Sequence, residues 1–338
     1  LNGRQSNEIK KLENYLNKRR KFDISVSKFF KPYGINYKQL LQGSIDNEER
    51  NNIKLNQYYY SKIKKITINI LRSYYSTLNH IQQIKPNKVF IFNGRDNTYR
   101  PIYLAAKKLI RKKNIYVYEF PDVSYQAIKI TNKNYPHDLS NHSREMFLDY
   151  KKNKPKNKSQ IIQRGKAIVN KRVYKQDFNT YVAWKPNQKF GFLPNLFNPK
   201  KFNLSIFTSS EYEVRNIPEN EKKINYGSQL NFIKEIILNL KKINRDINIF
   251  VRLHPSQVNE FTKFRILENG NNFVKVIEPK SKISSYTLGK KSNLSLVFHS
   301  TIGLELSSLK SKVIIVGPTM YQDFKVAEIL FDKKKILK

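Results

Sequence analysis

The chain has no cysteine, one tryptophan, two methionines and 11 glycines in 338 residues. The missing cysteine excludes disulfides, thiolate metal sites and a cysteine nucleophile, and fits a cytosolic protein. Acidic side chains are also sparse: 26 Asp and Glu stand against 64 Lys and Arg, a net charge of +38. No stretch approaches the roughly 20 consecutive apolar residues of a membrane helix. The first residues show no charged segment followed by an apolar one. A chain that starts at Leu1 without methionine reads as a fragment whose first strand lies upstream. The five histidines (His80, His137, His142, His254 and His299) are scattered, with no HExxH and no close pair. No metal site is expected from them.

The hydrophobic share is 39% and the aromatic share 13%, enough to bury real cores. A chain of this length is comfortable as two domains. The charge has two readings. Lys far outnumbers Arg, and Lys, Asn and Ile are abundant, as an AT-rich genome would write a solvated surface. The other reading is attraction for anions: nucleotide-sugars, an acidic polysaccharide, the inner-leaflet lipid surface or nucleic acid. Against nucleic acid, no helix-turn-helix, zinc-finger or RNP-like pattern stands out.

Residues 1–60 are polar and mostly helical in pattern. Ile63, Ile66, Ile70 and Tyr74 at helical spacing predict an amphipathic helix over 59–84, although the β-branched run at 66–68 also permits a strand. Residues 88–93 (KVFIFN) form a short apolar run bounded by Gly94, as in a buried strand. Pro101 is expected in a first helical turn, with Ile102, Ala105, Ala106 and Leu109 on one face. Residues 115–120 (IYVYEF) give the next strand, so this stretch is a βαβ unit with parallel pairing. Residues 130–200 are less regular, with a basic run at 151–158 (KKNKPKNK). The stretch carrying Trp184, Pro186, Gly191, Pro194 and Pro199 reads as a linker. It divides the chain into domains 1–195 and 196–338.

From residue 202 to 323 the α/β rhythm is clear. Strands are expected at 204–207, 247–251, 273–277, 294–298 and 313–316. Helices are marked by Phe232, Ile233, Ile236, Ile237, Leu240 and Ile243, and by Ile302, Leu306 and Leu309. This describes an open, parallel, doubly wound sheet. Ligands of such sheets bind beyond the carboxyl ends of the strands.

Four strand ends therefore carry the candidates. They supply Ser209, Ser210 and Glu211; Arg252, His254 and Pro255; Ser300, Thr301, Gly303 and Glu305; and Gly317-Pro318-Thr319. Ser300 and Thr301 precede a helix, where free N–H groups favour phosphate. Gly303 permits close backbone approach. Glu305 could accept from ribose hydroxyls. Arg252 and His254 could pair with phosphate oxygens as a leaving nucleotide gains charge. Each has a plainer alternative: Ser and Thr as N-caps, Glu305 on the surface, His-Pro as a turn.

The strings IFTSSEYE, RLHPS and FHSTIGLELSSLKSKVIIVGPTMY, with FIFNGRDNTYRPIYLAAKK earlier, resemble bacterial glycosyltransferases of capsule and other surface polysaccharides. The resemblance spans about residues 88–323. It implies a GT-B fold, two Rossmann-like doubly wound parallel-sheet domains facing across a cleft. The first would be acceptor-side and the second would bind the nucleotide-sugar. The His-Pro dipeptide with a later Ser/Thr pair is similar to enzymes that release CMP, including Kdo and sialic-acid-type transferases. That implies a CMP-sugar co-substrate, with His254 and Pro255 by the nucleotide, Ser300 and Thr301 on phosphate and Glu305 on ribose. Lys310-Ser311-Lys312 replaces the family's usual Gly-x-Pro.

A UDP- or GDP-sugar donor, or a nucleotide-sugar epimerase or hydrolase, is the alternative. The resemblance further implies a glycan or lipid-linked glycan acceptor, and a cytoplasmic protein in peripheral contact with an anionic membrane face. An inverting transfer needs a carboxylate base. Glu119 and Glu211 are preferred, with Glu213, Asp96 and Asp122 behind them. Asn93, Arg95, Asp96 and Arg100 are candidates for holding the acceptor. No Asp-x-Asp pair is present where a GT-A enzyme would hold metal, and neither a metal nor a separate cofactor is expected.

Overall fold

The computed structural model describes residues 1–19, 24–37, 40–41, 57–119, 129–132, 138–154, 157–173, 188–211, 214, 217, 224, 226–243 and 246–331. They divide into two compact units. The first is Leu1–Asp138 with Tyr212–Pro218, and the second is Leu139–Glu211 with Glu219–Lys338. Residues 139–195, placed by the sequence reading with the N-terminal domain, thus group with the second unit; Trp184 and Pro186 lie outside the described residues.

In the first unit, helix α1 (Gly3–Asn17) begins at Asn2, whose side chain forms a reciprocal capping box with Gln5. Helix α2 spans Gln57–Ile84. The strand alternative at 66–68 loses because Ile63, Ile70 and Tyr74 fall on one buried helical face, and the Thr67 hydroxyl donates to the Ile63 carbonyl at 2.7 Å. Strand β1 (Val89–Phe92), helix α3 (Asp96–Leu109) and strand β2 (Ile115–Glu119) form the expected βαβ unit, with β1 parallel to β2. A short β3 (Lys129–Thr131) adds antiparallel to β2, a strand too short to read from pattern. Pro101 sits inside α3 and not in its first turn, because the helix already starts at Asp96. Ile91, Ile115 and Val117 are buried. On the opposite face Phe90 stacks on Tyr116 with ring centroids 5.0 Å apart.

The second unit holds helices α4 (Leu139–Lys152) and α5 (Lys158–Val173), then strand β4 (Phe202–Phe207). Helix α6 (Gln229–Ile243), strand β5 (Ile247–Arg252), the single turn α7 (Phe261–Phe264) and strand β6 (Val274–Ile277) follow. Helix α8 (Ser285–Lys291), strand β7 (Leu294–Val297), helix α9 (Ile302–Ser308), and strands β8 (Val313–Val316) and β9 (Glu328–Leu330) complete it. The strand order is β6-β5-β4-β7-β8-β9, and every pair is parallel.

Strand periodicity divides the core in two. Leu204, Ile206, Ile249, Val251 and Leu296 pack with Phe232, Ile233, Ile236 and Ile237 of α6. Phe207, Phe250, Val297 and Ile315 pack with Val173 of α5, Leu288 of α8 and Leu306 of α9. Alternate side chains of one strand therefore face different helices, which is what a doubly wound sheet requires. The chain leaves β4 toward β5 and β6, then crosses back to β7 beside β4. The strand order reverses there, and the crevice of such a sheet opens beyond these two strand ends.

Candidate functional site

Beyond β4, Thr208, Ser209 and Ser210 are all buried. Gln229, the first residue of α6 and fully buried, accepts from the Ser209 N–H at 2.9 Å. Its Nε2 donates back to the Ser209 carbonyl and hydroxyl, both at 3.0 Å. Glu211 accepts from the Gln229 N–H at 2.7 Å, so one carboxylate oxygen satisfies a helix N-terminus. Glu213 lies outside the described residues.

Beyond β5, His254-Pro255-Ser256-Gln257 is a turn closed by the Gln257 N–H on the His254 carbonyl at 2.9 Å. Proline at its second position sets the φ such a turn needs. The His254 N–H donates to Gln257 Oε1 at 2.9 Å and to Thr208 Oγ1 at 3.0 Å. Its Nδ1 lies 2.6 Å from Ser256 Oγ and 3.2 Å from the Ser256 N–H. Ser256 Oγ in turn lies 2.8 Å from Ser210 Oγ. The His-Pro turn and the β4 end are thus one hydrogen-bonded structure.

Arg252 points elsewhere. It is buried, and its Nε, Nη1 and Nη2 donate to Ser285 Oγ, the Glu278 carbonyl and the Pro279 carbonyl. Burial lowers its pKa to about 10. Its observed contacts tie the β6–α8 connection to β5.

Beyond β7, His299 Nδ1 lies 2.9 Å from the Pro318 carbonyl, which only accepts, so Nδ1 carries the proton. Nε2 then accepts from the Tyr226 hydroxyl at 2.6 Å. Gly317, after β8, has φ +95°, and a Cβ there would come within 2.5 Å of His299 Cε1. That position requires glycine both for conformation and for space. The Ser300 carbonyl accepts from the Tyr321 hydroxyl at 2.7 Å. A Cβ on Gly303 would meet that same hydroxyl at 2.5 Å, so the close approach expected of Gly303 is to Tyr321. Thr301 is exposed and precedes α9 without a side-chain cap bond.

Glu305 is buried, not on the surface. It accepts from Arg172 of α5 as an ion pair and from the Tyr286 hydroxyl of α8 at 2.6 Å. Burial, with the Glu305 carboxylate beside it, holds the Tyr286 hydroxyl well above the ordinary tyrosine range. A ribose hydroxyl donating to Glu305 would have to share its carboxylate with these two donors or displace one.

In the first unit, the ends of β1 and β2 gather a second group. Asn93, at φ +61°, donates to Glu119 at 2.5 Å and accepts from Arg95 Nε at 3.0 Å. Asp96 accepts from the N–H groups of Thr98 and Tyr99 at 2.9 and 3.1 Å. Burial raises the Asp96 pKa from 3.8, and the Glu119 charge adds to the rise; those N–H groups and Arg95 oppose it. Arg100 lies over the Tyr103 ring, 5.5 Å from its centroid. Asp122 lies outside the described residues.

Sequence reasoning missed Thr208, Ser256, Gln257, Gln229, Tyr226, His299, Arg172, Tyr286 and Tyr321. Thr208, Ser256, His299 and Tyr321 stood within the motif strings without being assigned a role. Gln229, Arg172 and Tyr286 carry no local signal, since tertiary packing alone brings them in. Among the described residues, no cluster of three or more His, Cys, Asp or Glu could hold a metal ion.

No family model matches the chain, and no curated protein matches it. Among solved structures it is similar to the KpsC β-Kdo 2,4 transferase of Thermosulfurimonas dismutans, at 12% identity and a TM-score of 0.48. That match covers 72% of this chain and 73% of the other. A β-Kdo 2,7 transferase of the same KpsC matches at 12% identity and a TM-score of 0.45, covering 79% and 80%. The UDP-GlcNAc 2-epimerase of Methanocaldococcus jannaschii, in complex with UDP-GlcNAc and UDP, matches at 16% identity and a TM-score of 0.36, covering 80% and 73%.

Proposed function

We propose that this chain is a glycosyltransferase of GT-B type, with the nucleotide-sugar bound at the strand ends of the second unit and a CMP-sugar as the favoured donor. One observation supports the reading: the segments after β4 and β5 are hydrogen-bonded to each other, and so are those after β7 and β8, on either side of the point where the strand order reverses. Ser210 meets Ser256 there, and His299 meets Pro318. Phosphate recognition is assigned to His254, Ser300 and Thr301, the last exposed just before α9. Pro255 sets the turn that presents His254. Arg252 supports this edge through the β6–α8 connection, and Glu305 does so through Arg172 and Tyr286.

In the first unit, Asn93 and Arg95 are assigned to the acceptor, together with Arg100 on the following helix. The general base is assigned to the Asp96–Glu119 pair. Two neighbouring carboxylates push their titrations apart, and a raised pKa brings one closer to the value a base needs at neutral pH. Glu211, with an oxygen committed to the start of α6, is less suited to that work. The acceptor is assigned to the surface or capsular glycans, free or lipid-linked.

A thermal-shift comparison of CMP, UDP and GDP tests the donor site. A ligand present at 100 times its Kd stabilises by about 2.7 kcal/mol, a readily measured rise in Tm. CMP alone should produce it. UDP or GDP alone would reassign the nucleotide, and no response to any of the three would remove the donor site. His254→Ala should then abolish transfer while the protein stays folded. Release of free nucleotide at full rate without acceptor would favour a hydrolase, and interconversion of the donor sugar an epimerase.

A further inference from the structure

We propose that Ser256 and Ser210 are positioning residues that fix the His254 ring with its proton on Nε2, making it a hydrogen-bond donor to the leaving nucleotide and not a base. The inference rests on the nucleotide site proposed above and specifies how one of its residues acts.

The direction of each bond follows from which atoms can only donate. The Ser256 backbone N–H, 3.2 Å from His254 Nδ1, has no lone pair to offer. Nδ1 must therefore present its own lone pair, and a neutral imidazole then carries its single proton on Nε2. The Ser256 hydroxyl, 2.6 Å from the same nitrogen, must donate as well. Its proton committed, Ser256 Oγ is left to accept from Ser210 Oγ at 2.8 Å. The chain of donors thus runs from Ser210 to Ser256 to His254. Ser210 is 5% and Ser256 7% exposed, so bulk water competes poorly for either hydroxyl. At the other end, the His254 N–H is held by Thr208 and Gln257, which fixes the ring's origin at the end of β5.

The chemistry is balanced without moving a proton through His254. The acceptor oxygen forms a bond to the anomeric carbon, and the bond from that carbon to the donor phosphate oxygen breaks. The electron pair stays on the phosphate, and the acceptor proton goes to a carboxylate base. Nε2–H hydrogen-bonds the phosphate oxygen as its charge grows, an interaction stronger in the transition state than before it. An Nε2 that already holds a proton cannot take the acceptor's.

Long-range proton–nitrogen spectra of the ¹⁵N-labelled full chain read the tautomer directly, with no ligand present. The expected result is a single His254 form with Nε2 protonated. Ser256→Ala keeps the longer 3.2 Å backbone N–H bond and loses the 2.6 Å hydroxyl bond to Nδ1, so an Nδ1-protonated population should appear beside the Nε2 form, and Ser256→Thr, which keeps the hydroxyl, should restore the single form. A wild-type ring protonated on Nδ1, a wild-type mixture, or a fixed tautomer that survives Ser256→Ala would each overturn the proposal. In transfer assays Ser256→Ala should lower kcat by about three- to ten-fold, the worth of one hydrogen bond, with KM little changed, and Ser256→Thr should keep the wild-type rate. If wild-type protein binds none of the three nucleotides, the functional reading falls and the spectra alone decide the positioning claim.

Discussion

Asp96 occupies a left-handed conformation at φ +64° and turns one oxygen onto the first free N–H groups of α3. Its pKa is raised from 3.8, by burial first, with the Glu119 charge adding to it. The sign follows from linkage: below 3.8 both folded and unfolded chains hold the proton. As pH rises the unfolded chain releases it first, so stability is lost up to the folded pKa and stays lost above it. Asp96→Asn keeps an oxygen for the cap and tolerates positive φ, but does not titrate. It should therefore raise the urea midpoint at pH 7, and the gain should vanish as pH falls toward 3.8. A gain of the same size at both ends would show that ionisation plays no part. At this scale the sequence was informative about position. Asn93, Arg95, Asp96 and Glu119 came together because two parallel strands put their ends side by side. That Arg100 lies over the Tyr103 ring depends on a rotamer, which no pattern encodes.

Helix α5 shows what an element contributes beyond its own sequence. Val169 and Val173 pack against the second core, while Ile161, Ile162 and Ile168 are exposed. What ties its C-terminal end down is Arg172, whose partner Glu305 is far away in the chain. The Glu305 side chain is 7% exposed and Arg172 28%, so removing the cation leaves one oxygen of a buried carboxylate without its donor, Tyr286 still holding the other. Arg172→Ala should cost about 1–3 kcal/mol, the penalty of a buried group left without its donor. Glu305→Gln should cost less, because its carbonyl still accepts from Tyr286 or Arg172. Equal unfolding midpoints for Arg172→Ala and wild type would refute the tie. Five of this unit's six strands were legible, since their apolar runs are short and bounded; β9 (Glu328–Leu330), three residues long, was not expected. Helices α4 and α5 were not, because their polar, Lys-rich faces resemble a loop and Gly165 interrupts the second.

Across the whole molecule the dominant feature is charge, +38 in total. Among the described residues no helix is long and apolar enough to cross a membrane. Lys158, Arg164 and Lys166 surround the exposed isoleucines of α5, a combination suited to an anionic lipid surface. Vesicles containing phosphatidylglycerol should retain the protein at low salt, with about 1 kcal/mol per cation near the surface. Neutral phosphatidylcholine vesicles should not. Retention should fall steeply with added salt, and further in an Ile161→Ser, Ile168→Ser double variant; equal retention on both lipids would reject the charge-based reading. The sequence by itself determined the α/β rhythm of residues 202–323 and the edge where its candidate residues collect, because strand and helix periods are local and strand ends are where they stop. Only the tertiary structure decided what each residue at that edge touches. It turned Arg252 onto main-chain carbonyls, gave Glu305 to Arg172 and Tyr286, and set Ser210 and Ser256 behind His254. Those assignments depend on hydrogen-bond partners tens of residues apart, and a hydrogen bond exists only at a distance and an angle that folding supplies.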